Sequence, residues 1–273
     1  MEDLYITTPD LTTLKIRPTL VNGKNCLVLV ELLKGEHHLV RKAFTPDGVI
    51  TIACPGVKPW EPDHPTLYTC RVSVVKYGQV LDVREVQVGF RTAEFKANGF
   101  YLNGRKTFLR GLNRHQSYPY VGYAAPEKLQ REDARILKEE LGCVAVRTSH
   151  YPQSQHFVDE CDRLGLLVFT EIPGWQHIGG EEWKRQAVEN VREMVMQYRN
   201  HPSVILWGVR INESQDDDEL YNLTNGMARI LDISRATSGV RYTEKSSRQS
   251  SPPMRLAFPS AAFQSSHPKI LES

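Results

Sequence analysis

The sequence is short of features that would assign it to a function class at once. Its five cysteines among 273 residues are odd in number and widely spaced, and no pair has the CxxC spacing of a zinc or redox site. No apolar run is long enough to cross a membrane, and the acidic start Met1–Leu4 leads into no apolar segment. We therefore expect no disulfide framework, no membrane partner and a cytoplasmic location.

An excess of charge of one sign is also missing. The 34 Lys and Arg residues against 32 Asp and Glu give a net charge of +2, and the two signs are interleaved along the chain. Nucleic-acid binding would need a denser basic patch, so we expect no nucleic-acid partner. No glycine-rich phosphate loop follows a predicted strand, which counts against a dinucleotide-binding sheet, and we expect no cofactor.

The first third of the chain has the pattern of short antiparallel strands. Leu27–Leu33 is rich in β-forming residues, and Pro46–Gly48 is a turn signal before the next strand. Residues 68–74 alternate between apolar and polar or smaller side chains, as a half-buried strand does. Short strands separated by turns predict an immunoglobulin-like β-sandwich over residues 1–93.

From residue 94 the pattern changes to alternating strands and helices. A hairpin is predicted to turn at Asn103–Gly104. The predicted strands that follow are 109–112, 144–146, 166–169, 204–207 and 240–242. The predicted helices are 126–141, 154–164, 181–199 and 220–233. This order predicts a parallel sheet with helices on its faces, and so the first half of a (β/α)8 TIM barrel over residues 94–243.

The last segment, residues 244–273, does not continue this pattern. It is rich in Ser and Pro and has neither a helical nor a strand period, so it is predicted to be disordered. A complete TIM barrel takes roughly 250 residues. Our hypothesis is that the segment is an out-of-frame or otherwise foreign tail on a truncated barrel.

Polar side chains follow four predicted strands in succession. They are Asn113, Arg114 and His115, then Arg147, Ser149, His150 and Tyr151, then Glu171, and finally Asn212 and Glu213. The carboxyl ends of parallel strands form the face where TIM barrels place catalytic groups, and unpaired polar groups are costly there. The set is suited to hydrogen-bonding a polyhydroxylated substrate. Beside an apolar strand, Glu213 is predicted to have the raised pKa of a general acid.

Structural alternatives remain open for these residues. Arg147 could pair with Glu171 or Glu213 inside the barrel, and Glu213 could be an acid at a helix N-terminus. Trp207 either fills the core or forms a platform on which a sugar stacks. Each His could be a structural residue at a strand end.

Several segments resemble glycoside hydrolase family 2, which includes β-galactosidases, β-glucuronidases and β-mannosidases. In the predicted barrel they are Phe108–His115, Arg147–Pro152 and His201–Trp207 with Asn212–Glu213. Trp60–Tyr68 and Val88–Arg91 are similar to the end of the family's immunoglobulin-like domain. The resemblance covers residues 10–243. It implies a retaining glycosidase that uses two carboxylates.

The resemblance also implies roles for individual residues. Glu213 matches the general acid/base, Asn212 the residue that binds the sugar 2-hydroxyl, and His115 and His150 the pocket around the glycone. We expect the remaining substrate-binding residues to be Arg147, Tyr151, Glu171 and Trp207. The triplet Asn113–His115 is closer to β-galactosidases than to β-glucuronidases, so a carbohydrate partner of the β-galactoside type is expected, with β-glucuronidase or β-mannosidase as alternatives.

Departures from the family pattern carry expectations of their own. Asn212 lies one residue further from Trp207 than is usual, which predicts a bulge between Gly208 and Ile211 that re-aims Glu213. His177 matches the His of a magnesium pair, but Trp175 stands where its Glu would be, so no metal site is expected. Barrel strands six to eight, and the nucleophile with them, are expected to be absent.

Two hypotheses from different classes follow. The first is a retaining exo-β-glycosidase, which we favour for the ancestry of the chain. The second is a non-catalytic fragment or weak carbohydrate-binding protein, which we favour for the chain as written because retaining hydrolysis by Glu213 has no partner. A half barrel leaves an unpaired parallel edge, so poor solubility is expected, and a homo-oligomer remains open.

Overall fold

The computed structural model describes residues 1–242. Residues 243–273, and with them the hypothetical foreign tail, lie outside the described residues. The first seven strands are β1 Asp3–Thr7, β2 Thr13–Thr19, β3 Leu27–Lys34, β4 His37–Phe44, β5 Ile50–Ala53, β6 Tyr68–Lys76 and β7 Gln79–Val88. They form two antiparallel sheets, with strand orders β1-β2-β5 and β4-β3-β6-β7.

Alternation of side chains produces the core between these two sheets. In β2, Leu14 and Ile16 are fully buried, whereas the intervening Lys15 is exposed. Val28 and Val30 of β3 face the same core from the other sheet. Because every second residue of a strand points to one face, each sheet buries one apolar side, and the predicted β-sandwich is confirmed.

A three-stranded hairpin unit joins the sandwich to the second half of the chain. It comprises β8 Ala93–Lys96, β9 Gly99–Leu102 and β10 Arg105–Thr107. Asn103 and Gly104 have φ angles of 51° and 76°, as a two-residue hairpin turn requires, so the predicted turn is confirmed. Phe100 and Leu102 pack with Trp60 against the first residues of the parallel strands, and this hairpin unit closes the amino-terminal end of the sheet.

Five parallel strands with helices between them make up the rest of the described chain. The strands are β11 Gly111–Arg114, β12 Ala145–Thr148, β13 Leu167–Glu171, β14 Val204–Gly208 and β15 Ala236–Ser238. They pair in sequence order. The helices are α1 Glu127–Arg135, continued by a π-helical turn Ile136–Glu140, and then α2 Gln155–Leu164, α3 Glu181–Tyr198 and α4 Asp218–Leu231. This is the arrangement of half a TIM barrel, as predicted.

Several local predictions were wrong in detail. The fifth strand is Ala236–Ser238, and not residues 240–242. Leu141, the last residue of the predicted helix 126–141, lies outside the helix and is 56% exposed, because the π-helical turn before it rotates the chain away from the helical repeat. The second helix begins at Gln155 and not at residue 154, because Ser154 is its N-cap, and the Ser154 side chain makes no capping hydrogen bond.

The predicted bulge also lies elsewhere. The register between β13 and β14 shifts between Val168 and Phe169, whose partners are Val204 and Leu206, so Ile205 is the extra residue. After Gly208 the chain leaves the sheet instead of bulging within it. The change of facing therefore comes before Trp207, at the start of β14.

Buried hydrogen bonds connect the sandwich to the half barrel. The Tyr5 hydroxyl donates to Asp232 Oδ1 over 2.7 Å, and the Trp60 indole donates to the Asp162 carbonyl over 2.8 Å. The guanidinium of Arg91 donates to the carbonyl of Pro202 over 2.9 Å. Within residues 1–242, none of the helices combines the length and apolar character needed to cross a lipid bilayer.

Candidate active site

Three side chains from neighbouring strand ends meet at the carboxyl-terminal rim of the parallel sheet. Arg147 of β12 donates from Nε to Glu171 Oε1 over 2.7 Å and from Nη2 to Glu171 Oε2 over 2.8 Å. Its Nη2 also donates to Asn212 Oδ1 over 2.6 Å. All three residues are buried. The alternative in which Arg147 pairs with Glu171 inside the barrel is therefore the one that the structure adopts.

Gly208 makes room for this ion pair. It lies opposite Glu171 in the β13–β14 register. A Cβ atom at position 208 would lie 2.3 Å from Cγ of Glu171 and 2.9 Å from its Cα. Real side-chain atoms do not approach so closely, so only glycine lets the Glu171 side chain lie across β14.

Glu213 lies beside this cluster on the loop after β14. Its backbone φ is 53°, and its amide donates to the Val240 carbonyl over 2.9 Å. The side-chain oxygen Oε2 accepts one hydrogen bond from the Trp175 indole over 2.9 Å and one from the side-chain amide of Gln176, Nε2, over 3.2 Å. The loops that follow β13 and β14 are thus joined through the Glu213 carboxylate.

The pKa of Glu213 is held below its ordinary value. The hydrogen bond from Trp175 is the largest cause, the Gln176 bond adds to it, and His150 and Arg147 contribute positive charge. Burial raises the pKa, but the carboxylate is only partly withdrawn from water, so burial does not prevail. The prediction of a raised pKa was wrong because it counted the apolar strand and not the N–H donors.

Two imidazoles and a phenol form one wall of the site. The His115 ring lies 5.3 Å from the His150 ring and 6.1 Å from the Tyr151 ring, centroid to centroid. Burial, together with the charges of His150 and Arg147, lowers the pKa of His115. His150 Nδ1 lies 3.2 Å from Nη2 of Arg147, so this wall adjoins the buried cluster.

Two residues of the predicted set face away from the site. Arg114 turns to the helix layer, where its Nη2 lies 2.6 Å from Asp133 Oδ2 and 2.8 Å from Gln130 Oε1. Trp207 is fully buried among residues of that layer and donates from its indole to Asp232 Oδ2 over 3.0 Å. Trp207 is therefore a core residue, and its assignment to the substrate-binding set was wrong.

Trp175 and Gln176 are the site residues that the sequence reasoning missed. Trp175 drew notice only because it replaces a possible magnesium ligand. An indole N–H is a donor and cannot coordinate a cation, and the His177 ring instead packs 5.9 Å from the Trp183 ring. The residues present at this place do not fit a magnesium site. A better signal was available, since a residue in the loop after a barrel strand lies at the same rim as Glu213.

Two cavities of similar volume lie in the described part of the chain. One of about 670 Å³ opens beside Glu213, and its lining includes Gln176, Lys184 and Asp216. The other, about 680 Å³, lies at the junction of the sandwich with the half barrel. We associate the first with the site, because Glu213 lines it, whereas Arg147, Glu171 and Asn212 line neither cavity.

Comparisons with known proteins agree with this fold. A family model described as "Glycosyl hydrolases family 2, TIM barrel domain" matches residues 93–255, and one described as "Glycosyl hydrolases family 2" matches residues 9–91. A β-galactosidase of Thermoanaerobacterium thermosulfurigenes is 59% identical over 191 residues, which are 70% of this chain and 26% of that protein. A β-galactosidase of Thermoanaerobacter pseudethanolicus is 55% identical over 190 residues, 69% of this chain and 26% of its own length.

A solved structure is similar over a larger part of the chain. The crystal structure of a β-glucuronidase from Parabacteroides merdae matches with a TM-score of 0.74 and 30% identity, covering 86% of this chain and 34% of that one. This chain therefore spans about a quarter of the length of the two β-galactosidases and about a third of the solved chain.

Proposed function

The chain belongs to glycoside hydrolase family 2, and we propose that the enzyme whose sequence it spans in part is a retaining β-galactosidase with Glu213 as its general acid/base. The observation that carries this proposal is the place of the Glu213 carboxylate. It lies at the carboxyl-terminal rim of the sheet, partly exposed, next to the Arg147–Glu171–Asn212 cluster. A group that exchanges protons with a substrate must be reachable from solvent and held in one position.

The chemistry assigned to Glu213 has two steps. As an acid it protonates the glycosidic oxygen of the leaving group, and as a base it then removes a proton from the water that releases the sugar. The ionised form that its surroundings favour is the one needed for the second step. For the first step the carboxyl must be protonated, and we expect the bound leaving group, by excluding water around Glu213, to assist this.

A second carboxylate is needed as the nucleophile, about 5–5.5 Å from the first in retaining enzymes. Glu171 is a poor candidate, because both of its oxygens accept hydrogen bonds from Arg147 and the side chain is 1% exposed. Among residues 1–242 we find no other carboxylate in the cluster. We propose that the nucleophile belongs to a part of the enzyme outside the described residues, and that the chain alone does not turn over.

The sugar is proposed to lie between Asn212 and the wall of His115, His150 and Tyr151. Within the described residues the Nδ2 atom of Asn212 has no hydrogen-bond partner. Its Oδ1 is occupied by Arg147, so the amide presents its N–H side to a ligand hydroxyl. A buried donor without a partner is costly, and a substrate hydroxyl would remove that cost.

The preference for a β-galactoside rests on the two similar β-galactosidases. The Asn113–His115 triplet adds less than expected, because the Arg114 side chain points into the helix layer. A β-glucuronidase is the second candidate, and the similar fold of the Parabacteroides merdae enzyme favours it.

Activity assays test the proposal in two stages. The purified chain is first incubated with chromogenic β-galactoside and β-glucuronide beside a Glu213→Gln variant. We expect no turnover by either protein, and turnover that the substitution abolishes would overturn the proposal that the chain alone is inactive.

In the second stage the segment 93–242 replaces its counterpart in the Thermoanaerobacterium thermosulfurigenes β-galactosidase. We expect the chimera to cleave β-galactosides, Glu213→Ala to abolish cleavage of poor leaving groups, and added azide to restore turnover of activated aryl galactosides. Retained cleavage of poor leaving groups by the Glu213→Ala chimera would refute the acid/base assignment.

A further inference from the structure

We propose that Trp175 and Gln176 are positioning residues for Glu213, which hold its oxygen Oε2 and leave Oε1 as the oxygen that gives and takes the proton. The inference rests on the proposed acid/base role of Glu213 and names the parts that orient it. Both donors come from the loop after β13, and both reach the same carboxylate oxygen, over 2.9 Å and 3.2 Å. Within the described residues Oε1 has no hydrogen-bond donor.

The backbone of this loop is fixed to the loop that carries Glu213. The backbone N–H of Gln176 donates to the backbone carbonyl of Asn212 over 2.7 Å, and Trp175 forms a β-bridge with Asn212. Gly174 allows this approach, since its φ is 137° and a Cβ atom there would lie 2.8 Å from Cδ1 of Ile211. The two donors are therefore aimed by the backbone, although the Trp175 side chain is 61% exposed.

Two N–H donors on one oxygen decide where a proton can go. A proton on Oε2 would point at the indole and amide hydrogens and break both bonds, whereas a proton on Oε1 leaves Oε2 as a carbonyl oxygen that still accepts. The same orientation thus serves the acid and the base. A carboxylate held in one rotamer does not have to lose side-chain entropy in each catalytic step.

Other charges around Glu213 do not supply this orientation. His150 and Arg147 act on it through space and make no hydrogen bond to it, and Arg147 is neutralised by Glu171. The hydrogen bond from Trp175 is also the largest cause of the lowered pKa of Glu213, in agreement with the geometry.

The indole proton of Trp175 gives a direct readout in the chain itself. The chain has four tryptophans, so a ¹⁵N-labelled sample gives four indole resonances, and Trp175→Phe identifies one by its loss. We expect that resonance to shift with pH as Glu213 titrates and to lose the pH dependence in Glu213→Ala. The Trp207 indole, which binds Asp232, is an internal reference, because the pKa of Asp232 is held far lower and its transition lies at lower pH.

Proton exchange with water tests the choice of oxygen. If Oε1 takes the proton, the Trp175 indole stays hydrogen-bonded below the transition, and its exchange remains slower than in Glu213→Ala. Exchange that rises to the Glu213→Ala rate at low pH would show that Oε2 is protonated, and would overturn the proposal.

A carboxyl ¹³C titration of Glu213 tests the positioning role. In Trp175→Phe the transition is expected at higher pH than in the unchanged chain, because one donor to the ionised form is lost. Trp183→Phe is the matched control and should leave the transition in place, and unchanged Trp60 and Trp207 resonances show an intact fold. An unshifted transition in Trp175→Phe would overturn the inference whatever the chimera assay gives. A Glu213→Ala chimera that stays active would overturn the proposed acid/base role and leave only the orientation of the carboxylate standing.

Discussion

Arg147 of β12 and Glu171 of β13 form a two-pronged ion pair whose N–O distances are 2.7 Å and 2.8 Å. Neither side chain is more than 7% exposed. The pair forms the floor of the site, because Arg147 extends from it to Asn212 and His150. A buried pair of this kind contributes little net stability compared with apolar residues, but losing one member leaves a bare charge.

Replacing one member of the pair should therefore be costly. Glu171→Leu is expected to lower the free energy of unfolding by about 3 kcal/mol or more, because the Arg147 charge loses its buried counter-ion. The double variant Arg147→Met/Glu171→Leu should recover a large part of the loss. Urea denaturation measures both. A double variant as unstable as Glu171→Leu alone would contradict the explanation.

The space at Gly208 gives a second test. Gly208→Ala is expected to destabilise the chain by about 1–3 kcal/mol, because the new methyl group must displace Glu171. Gly226 of α4 is the matched control, since a Cβ atom there meets nothing within 4 Å. Gly226→Ala should stabilise the chain by up to about 1 kcal/mol, as expected for a glycine in a helix. Equal effects of the two changes in urea denaturation would refute this account.

Stability above neutral pH should depend on His201. Burial alone lowers the pKa of His201, but the Asp162 carboxylate, 2.6 Å from Nδ1, prevails and holds that pKa above its ordinary value of 6.5. The stabilisation is then fully present below the unfolded-state pKa and is lost as the pH rises through the folded-state pKa. Free energies of unfolding at about pH 5.5 and about pH 8.5 should differ less in His201→Gln than in the unchanged chain. The exposed residue His64 supplies the control His64→Gln, which should keep the original dependence.

Asp232 should govern stability in acid. Burial alone raises the pKa of Asp232, but Arg235 and the hydroxyls of Ser234 and Tyr5 prevail and hold it far below its ordinary value of 3.8. The stabilisation is present above the unfolded-state pKa and is lost as the pH falls towards the folded-state pKa. Asp232→Asn is expected to lower the free energy of unfolding by about 2 kcal/mol or more at neutral pH and to flatten its decline in acid. Asp47→Asn, in an exposed turn, should change neither, and an unaltered acid decline in Asp232→Asn would be evidence against the role.

Much of the architecture could be predicted from local patterns. The Asn103–Gly104 turn and the alternation in β6 each depend on a few neighbouring residues. The order of strands and helices after residue 94 likewise predicts the parallel sheet. Because Arg147, Glu171 and Glu213 follow or end predicted strands, their place at the carboxyl-terminal rim of the sheet could also be predicted.

The facing of side chains on the inner strands could not be predicted in the same way. In β12 and β14 every residue is buried, because both faces of a parallel sheet are covered, so no apolar and polar alternation marks the inner face. The register shift at Ile205 changes the facing again. Trp207 and Arg114 therefore looked like site residues, although both point to the helices.

The pKa of Glu213 was mispredicted for a related reason. Its value depends on Trp175 and Gln176, which are 38 and 37 positions away in the sequence and approach only when the two loops pair. The residues near Glu213 in the sequence, such as those of the apolar β14, indicated only that burial would raise its pKa. Contacts between loops are set by the whole fold, so a local pattern does not contain them.

The sequence-order pairing of β11 to β15 has a consequence for how the protein is made. Each strand joins a neighbour that left the ribosome just before it, and the hairpin unit that closes the amino-terminal end of the sheet is synthesised before any of them. The sheet can therefore form during translation, with one βα unit after another added to the hairpin unit that has already folded. In such vectorial assembly the last strand to emerge always presents the one growing edge, and Ala236–Ser238 is that edge in the described chain.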